Sequence, residues 1–357
     1  MTFAVNIAQG GSNNTTMRNR IINGAMVIDQ RNAGAAVTTS GSFPVDRFNI
    51  GNSGTTATFS MQQSSTAPAG FVNSVAFTVT ASDATLDALD RTYLTQSIEG
   101  LNVADLGWGT ANAATVTLSF WVRSSLTGTF GGSLRNSAGN RSYPFTYTIS
   151  SANTFEQKTV TIVGDTSGTW LTTNGIGIQL HFSLGVGATL SGTAGSWAGA
   201  NYLSATGAVS LTQTSGATFY ITGVQLEAGT TASPFEYRLY GTELALCQRY
   251  FEKSYDIGTV SGTSTIISIA NAGNAGQSDG AANGCLLGFK VTKRAAPTMA
   301  YFDGAGTATR FTTRSGGVTV NGRTLSAVNS GENSALIDAV TSVQASMLVH
   351  FTASAEL

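Results

Sequence analysis

Apolar side chains recur at every second position through most of the first two-thirds of the chain. Ala57, Phe59 and Met61 form one such face, Val75, Phe77 and Val79 another, and Val116, Leu118, Phe120 and Val122 give the cleanest alternation. The pattern continues through Tyr143, Phe145, Tyr147 and Ile149, then Val160 and Ile162, then Ile176, Ile178, Leu180, Phe182 and Leu184. A period of two marks strands with one buried face. Many short strands between Gly/Asn/Ser turns, with hardly any helical periodicity, predict an all-β fold: an antiparallel β-sandwich of the jelly-roll type. No fixed-period repeat is found, which argues against a β-helical spike.

The stretch FYITGVQLEAGTTASPFEYR at 219–238 breaks the alternation in an informative way. Phe219 and Ile221 share one parity, Val224 and Leu226 the other. A bulge at Gly223 shifts the register by one and returns all four to the same face, and glycine tolerates the backbone angles required. Pro234, lacking an N–H, then ends the ladder.

Residues 242–253, TELALCQRYFEK, predict the one helix, with Thr242 as cap, Glu243 near its positive end and Lys253 at its negative end. Leu244, Cys247 and Phe251 line its apolar stripe. Residues 255–357 return to the β pattern in STIISIA, GCLLGFKVTK, ATRFTTRSGGVTV and QASMLVHFTAS, with a polar turn at 271–284. Ala345, Met347, Val349 and Phe351 make the last of these a core strand. The expected organisation is an attachment arm at 1–17, a sandwich at 18–238, a helical connector at 239–254 and a second, smaller β-sandwich at 255–357.

Charged residues make up only 10% of the 357, with a net charge of −1. Ser, Thr, Asn and Gly must therefore build the surface, and the basic face that nucleic acid binding requires is missing. Cys247 and Cys285 fall in different predicted segments, and Cys285 alternates in phase with Leu287, Phe289 and Val291, so both read as small buried hydrophobes. No stretch reaches the length of a membrane span, and no leader is expected. Phe3, Val5 and Ile7 alternate ahead of the polar QGGSNNTT, which reads either as an anchoring arm on a hinge or as a disordered terminus.

Catalytic patterns are nearly absent, and a non-enzymatic protein without cofactor or metal is expected. His181 and His350 occupy the polar parity of their strands in different domains. Asp83, Asp87 and Asp90, with Glu99 and Asp105 nearby, cluster around turns at ordinary spacing. Glu99, Asp165 and Glu227 lack the dense spacing of a calcium loop. The aromatic residues carry more. Trp121 lies opposite the core parity, in a row with Thr117, Ser119 and Arg123, and reads as a flat platform for a sugar ring with Arg123 beside it. Cover by a loop or a neighbouring subunit is the alternative reading. Trp108 is expected to plug an end of the core, and Trp197 and Tyr202 to offer exposed contacts from the loop SGTAGSWAGANYLSATG.

QLEAGTTASPFEYR, together with IINGAMVIDQRN at 21–32, YLTQSIEGLNVADLGWGTANAATVTLSFWVRSS at 93–125 and YGTELALCQRYFE at 240–252, resembles the carbohydrate-binding-module-like region of bacteriophage tail-fibre and tail proteins over about residues 18–252. The resemblance implies a virion protein exposed to the medium. It also implies a host-surface glycan as ligand, for which the candidate contacts read above are Trp121, Arg123, Trp197 and Tyr202, with Phe3, Val5 and Ile7 as the candidate attachment to other tail proteins. A homotrimer without membrane insertion is expected. The alternatives are a purely structural tail, baseplate or capsid-decoration protein, and a depolymerase with two facing carboxylates.

Overall fold

A computed structural model describes residues 17–275, 282–340 and 345–357. The expected arm residues Phe3, Val5 and Ile7 lie outside the described residues. The chain divides into two compact units. The first holds 17–25, Thr38–Gly41 and Ile50–Arg238; the second holds Met26–Val37, Ser42–Asn49 and Leu239–Leu357. Residues 26–37 and 42–49, expected in the first sandwich, thus belong with the second unit.

The described strands up to residue 228 are β1 (Asn49–Ser53), β2 (Thr58–Ser64), β3 (Ser74–Ala81), β4 (Arg91–Glu99), β5 (Val116–Ser124), β6 (Gly128–Arg135), β7 (Ser142–Ile149), β8 (Glu156–Ile162), β9 (Ile176–Val186), β10 (Ser191–Gly192), β11 (Ser204–Ala205) and β12 (Thr218–Ala228). They form two five-stranded sheets, β2-β3-β12-β5-β8 and β1-β4-β9-β6-β7, with β10 and β11 as a separate parallel pair. The predicted core faces close the sandwich: Val116, Leu118, Phe120 and Val122 are all 0% exposed. Phe120 meets Tyr147 at 4.9 Å and Phe182 at 5.0 Å, joining one layer to the other edge-to-face.

The break in alternation at Gly223 is a bulge. Pairing of β12 with β5 shifts register between Thr222 and Gln225, and Gly223 sits at φ 61°. Phe219, Ile221, Val224 and Leu226 are all buried as a result.

The second unit contains helix α1 (Tyr240–Gln248) and β13 (Phe251–Lys253), β14 (Ala270–Ala275), β15 (Ala282–Gly288), β16 (Thr298–Phe302), β17 (Arg310–Ser315), β18 (Val318–Ser330), β19 (Ser334–Val340) and β20 (Ala345–Ser354). Their order is β13-β20-β17-β18-β19-β15, with β14 and β16 also on β20. β20 is therefore the hub, and its expected core residues Ala345, Met347, Val349 and Phe351 are all buried.

The helix is shorter than its pattern suggested. It starts at Tyr240 with Leu239 in the cap position and no side-chain cap, so Thr242 does not cap it. It stops at Gln248 because Phe251–Lys253 pair with Lys253↔Thr352 through Phe251↔Ser354 of β20. Lys253, expected at the helix C-terminus, is buried and donates to the carbonyls of Ile257 and Thr259 at 2.9 and 2.6 Å. STIISIA does not form a strand; Ile266 and Ile267 are exposed, and β14 begins at Ala270. β14 and β15 instead occupy much of the predicted turn at 271–284, since ladder hydrogen bonds come from the backbone and small side chains suffice.

Within the second unit Asp46 is fully buried, with Arg31 and Gln30 donating to it. Burial outweighs these partners and raises its carboxyl from 3.8 to about 6. A raised acid favours the protonated folded form, so its contribution is complete below the unfolded value and is lost as pH climbs through about 6. At about 1.4 kcal/mol per unit the loss is on the order of 3 kcal/mol. Asp46→Asn is expected to flatten the fall in calorimetric stability between about pH 4 and about pH 7. Equal slopes in variant and wild type would remove Asp46 as the source.

Candidate functional site

On β5 the residues between the core positions, Thr117, Ser119, Trp121 and Arg123, take the outer side of the sheet. Trp121 stands opposite Thr222 on β12 and Gln157 on β8, and Arg123 stands opposite Tyr220. Directly opposed residues share a face, so five side chains from three strands form one surface. The Arg123 guanidinium lies 4.9 Å from the centre of the Tyr220 ring, its Nε donates to the Asn153 carbonyl at 2.9 Å, and Phe155 packs against Tyr220 at 6.3 Å.

On the other flank of Trp121 the bulge provides a slot. A Cβ at Gly223 would fall 2.6 Å from Cζ of Phe71 and 3.1 Å from Cδ1 of Trp121. Only bare backbone lets both rings approach. Phe71 continues into Phe235 at 5.1 Å and Tyr237 at 5.5 Å. Trp121 is half-buried, and Tyr237 is 61% exposed with its hydroxyl donating to the Gly70 carbonyl. The result is an aromatic strip from Phe155 to Tyr237, bordered by the amide of Gln157 and one guanidinium. Such a strip can cover C–H faces of a pyranose while the polar groups bind its hydroxyls. Tyr220, Phe71 and Tyr237 escaped sequence reasoning; the available signal was for Tyr220 alone, whose position between the core residues Phe219 and Ile221 turns it to the outer face.

The other expected contact residues lie elsewhere. Trp197 joins Trp108 at 5.3 Å, Trp170 at 5.4 Å and Tyr143 at 5.2 Å, and donates to the Val163 carbonyl at 2.8 Å. Trp108 is buried, as a plug should be, but Trp197 is half-buried in the same cluster instead of standing free. Tyr202 belongs to the opposite layer, where its ring lies against Gly192 and its N–H donates to Ser142. Trp121 and Arg123 are thus brought together, and Trp197 and Tyr202 are not brought to them.

Four of the acidic side chains considered above are tied to local partners. The Thr56 N–H and the Thr55 hydroxyl bind Asp83 and lower its carboxyl below the usual value. Asp105 pairs with Arg20 at 2.6 Å, and Asp165 takes both arms of Arg141 at 2.6 and 2.7 Å. Ser233 and Gln225 bind Glu227. Among the described residues, no three His, Cys, Asp or Glu side chains group as metal ligands. Both histidines are buried in spite of their polar parity, His350 stacked on Tyr255 at 3.8 Å. The second unit has a cleft of about 350 Å³ lined by Gln30, Gln248, Lys253, Tyr255 and Lys290 among others; burial lowers Lys253 to about 8.

No model of a protein family matches the chain, and no curated protein matches it in sequence. Solved structures similar to it include the enzymatically active domain of tailspike protein 4 of bacteriophage CBA120, at 15% identity and a TM-score of 0.31 over 59% of this chain and 21% of that one. A sugar-binding protein from Bacteroides thetaiotaomicron is similar at 12% identity and 0.34, covering 59% of this chain and all of that one. A family 11 carbohydrate-binding module from Clostridium thermocellum, in complex with a mixed-linked tetrasaccharide, is similar at 12% identity and 0.29, covering 55% and 98%. The chain spans well under a third of the tailspike. Scores and identities of this size carry no argument about function, and what the chain itself displays is an antiparallel β-sandwich with an aromatic outer face.

Proposed function

We propose that this chain is a non-catalytic phage tail fibre or receptor-binding protein that holds host-surface polysaccharide on the Trp121 face. The observation that carries the glycan reading is the strip itself: Trp121, Tyr220, Phe71 and Tyr237 on one sheet face, with Arg123 and Gln157 between and beside the rings. The virion setting rests on the resemblance of residues 18–252, and with it the attachment of the N-terminal arm to the tail and the homotrimer. Several weak sites acting together would supply the avidity.

Purified protein added to host cells is expected to slow adsorption of the parent phage, and Trp121→Ala to weaken that block at least about tenfold, as loss of a central aromatic anchor does. An unchanged block in the folded variant would remove Trp121 from the binding face. A structural tail, baseplate or decoration protein is favoured by one observation, the exposed ring of Tyr237 beside Phe71 and Phe235, which suits a subunit contact. In that case saturating protein leaves adsorption unaffected altogether.

A further inference from the structure

The other sheet has its own outward row, and it is polar. Leu94, Ile98, Leu134, Leu180 and Phe182 face the core, so the alternate positions of β4, β6 and β9 face away from it. Register sets Thr95 and Ser133 on either side of His181, and Ser97 and Arg135 on either side of Gln179. The Tyr93 ring meets His181 edge-on at 4.9 Å. β10 and β11, with the residues after them, cover part of this row: a Cβ on Gly131 would fall 2.5 Å from the Ser204 hydroxyl.

Three facts about this row are unexplained by the fold. His181 is 1% exposed, yet neither Nδ1 nor Nε2 has a partner, and the hydroxyl of Thr95 opposite it has none either. Buried polar atoms are rarely left so, because each costs about 1–3 kcal/mol. Arg135 is half-buried and donates only to neutral groups, to Gln179 at 3.1 and 2.6 Å and to the side chain of Asn201. Among the described residues it forms no ion pair; burial pushes against its charge, Tyr93 offsets part of this, and Arg91 adds to it. Finally, between Asp165 and Glu227 the sequence has no Asp, Glu, Lys or Arg, so the covering segment cannot supply a counter-ion.

We infer that the Arg135–His181 row is a second ligand site, independent of the Trp121 face, for an anionic saccharide group, a carboxylate or sulfate that pairs with the guanidinium and takes hydrogen bonds from His181 and Thr95. A guanidinium whose donors rest on exchangeable amides is ready for a carboxylate, which accepts two of its N–H groups at once. Asn201 is the group that an incoming anion displaces. The neutral His181 contributes one N–H and one acceptor nitrogen, matching an acid group with a neighbouring sugar hydroxyl.

The test is a calorimetric titration of the full chain with sodium glucuronate, glucose and sodium sulfate, followed by NMR of the two histidine ring signals, His181 being the one that survives in His350→Gln. Glucuronate is expected to bind at least about tenfold more tightly than glucose, with Arg135→Gln abolishing the preference and Trp121→Ala leaving it intact. Saturable sulfate binding as well would point to sulfated sugars; glucuronate binding alone would point to uronic acids. The His181 signal of the wild type should move on saturation, which keeps the proposal testable even where Arg135→Gln fails to fold. Absence of saturation with either anion, a motionless His181 signal, or a preference that persists in folded Arg135→Gln overturns it.

Discussion

Replacing Lys293 with methionine is expected to cost the second unit about 3–5 kcal/mol. The ammonium is fully buried and all three of its protons are used: it donates to Glu252 at 2.7 Å, to the Gln248 carbonyl at 2.6 Å and to the Val291 carbonyl at 3.0 Å. Glu252 is 1% exposed and otherwise receives the Lys290 N–H. Methionine matches the stem in volume, so the lost packing is small. What remains is a buried carboxylate without its counter-charge and two carbonyls without donors, the costly outcome when one partner of a buried pair is removed. Adding Glu252→Gln should recover a large share, because the uncompensated charge is then gone. A single variant within about 1 kcal/mol of wild type in denaturant unfolding would show that the pair is not buried in solution.

Gly223→Ala should destabilise the first unit by about 2–4 kcal/mol, the sum of a left-handed residue and an overfilled slot. The backbone there stands at φ 61°, and the new methyl would meet the Phe71 ring at 2.6 Å. The two costs separate experimentally: Phe71→Ala in the same chain relieves the contact and leaves the backbone penalty. All four tryptophans lie in the first unit, so indole fluorescence follows this unit alone. Because Phe71 can yield only by swinging away, the same substitution should also weaken glycan binding at the Trp121 face. Full binding together with a lost kilocalorie or more would place the sugar elsewhere.

Alternation was enough to read β2, β3, β5, β7, β8, β9 and β12, because each has one apolar face, whereas β1, β4, β6, β10 and β11 gave no alternation that was read. The bulge at Gly223 was legible for the same reason, as a phase break with a glycine inside it. The end of α1 was not, since Phe251 continues the helical stripe and only the β20 partner, about a hundred residues on, draws it into a sheet. The 271–284 region misled in the opposite sense: Ala, Gly and Asn give no periodic signal, yet their backbone completes ladders with β20 and β19. Trp121 could be assigned to an outer face from its own strand, whereas its neighbours Tyr220 and Gln157 depend on register between strands. The separation of Trp197 and Tyr202 from Trp121 likewise follows from which loop crosses which layer.

The interleaved division of the chain has a kinetic consequence. Residues 26–37 and 42–49 belong with strands that lie beyond residue 239, and the whole first sandwich intervenes. On a ribosome the sandwich can complete all its pairings as soon as β12 has emerged, while these early segments must wait for β13 and for the hub strand β20. The second unit therefore combines contacts distant in sequence with the latest opportunity to fold, and its closure should be the slow phase of refolding.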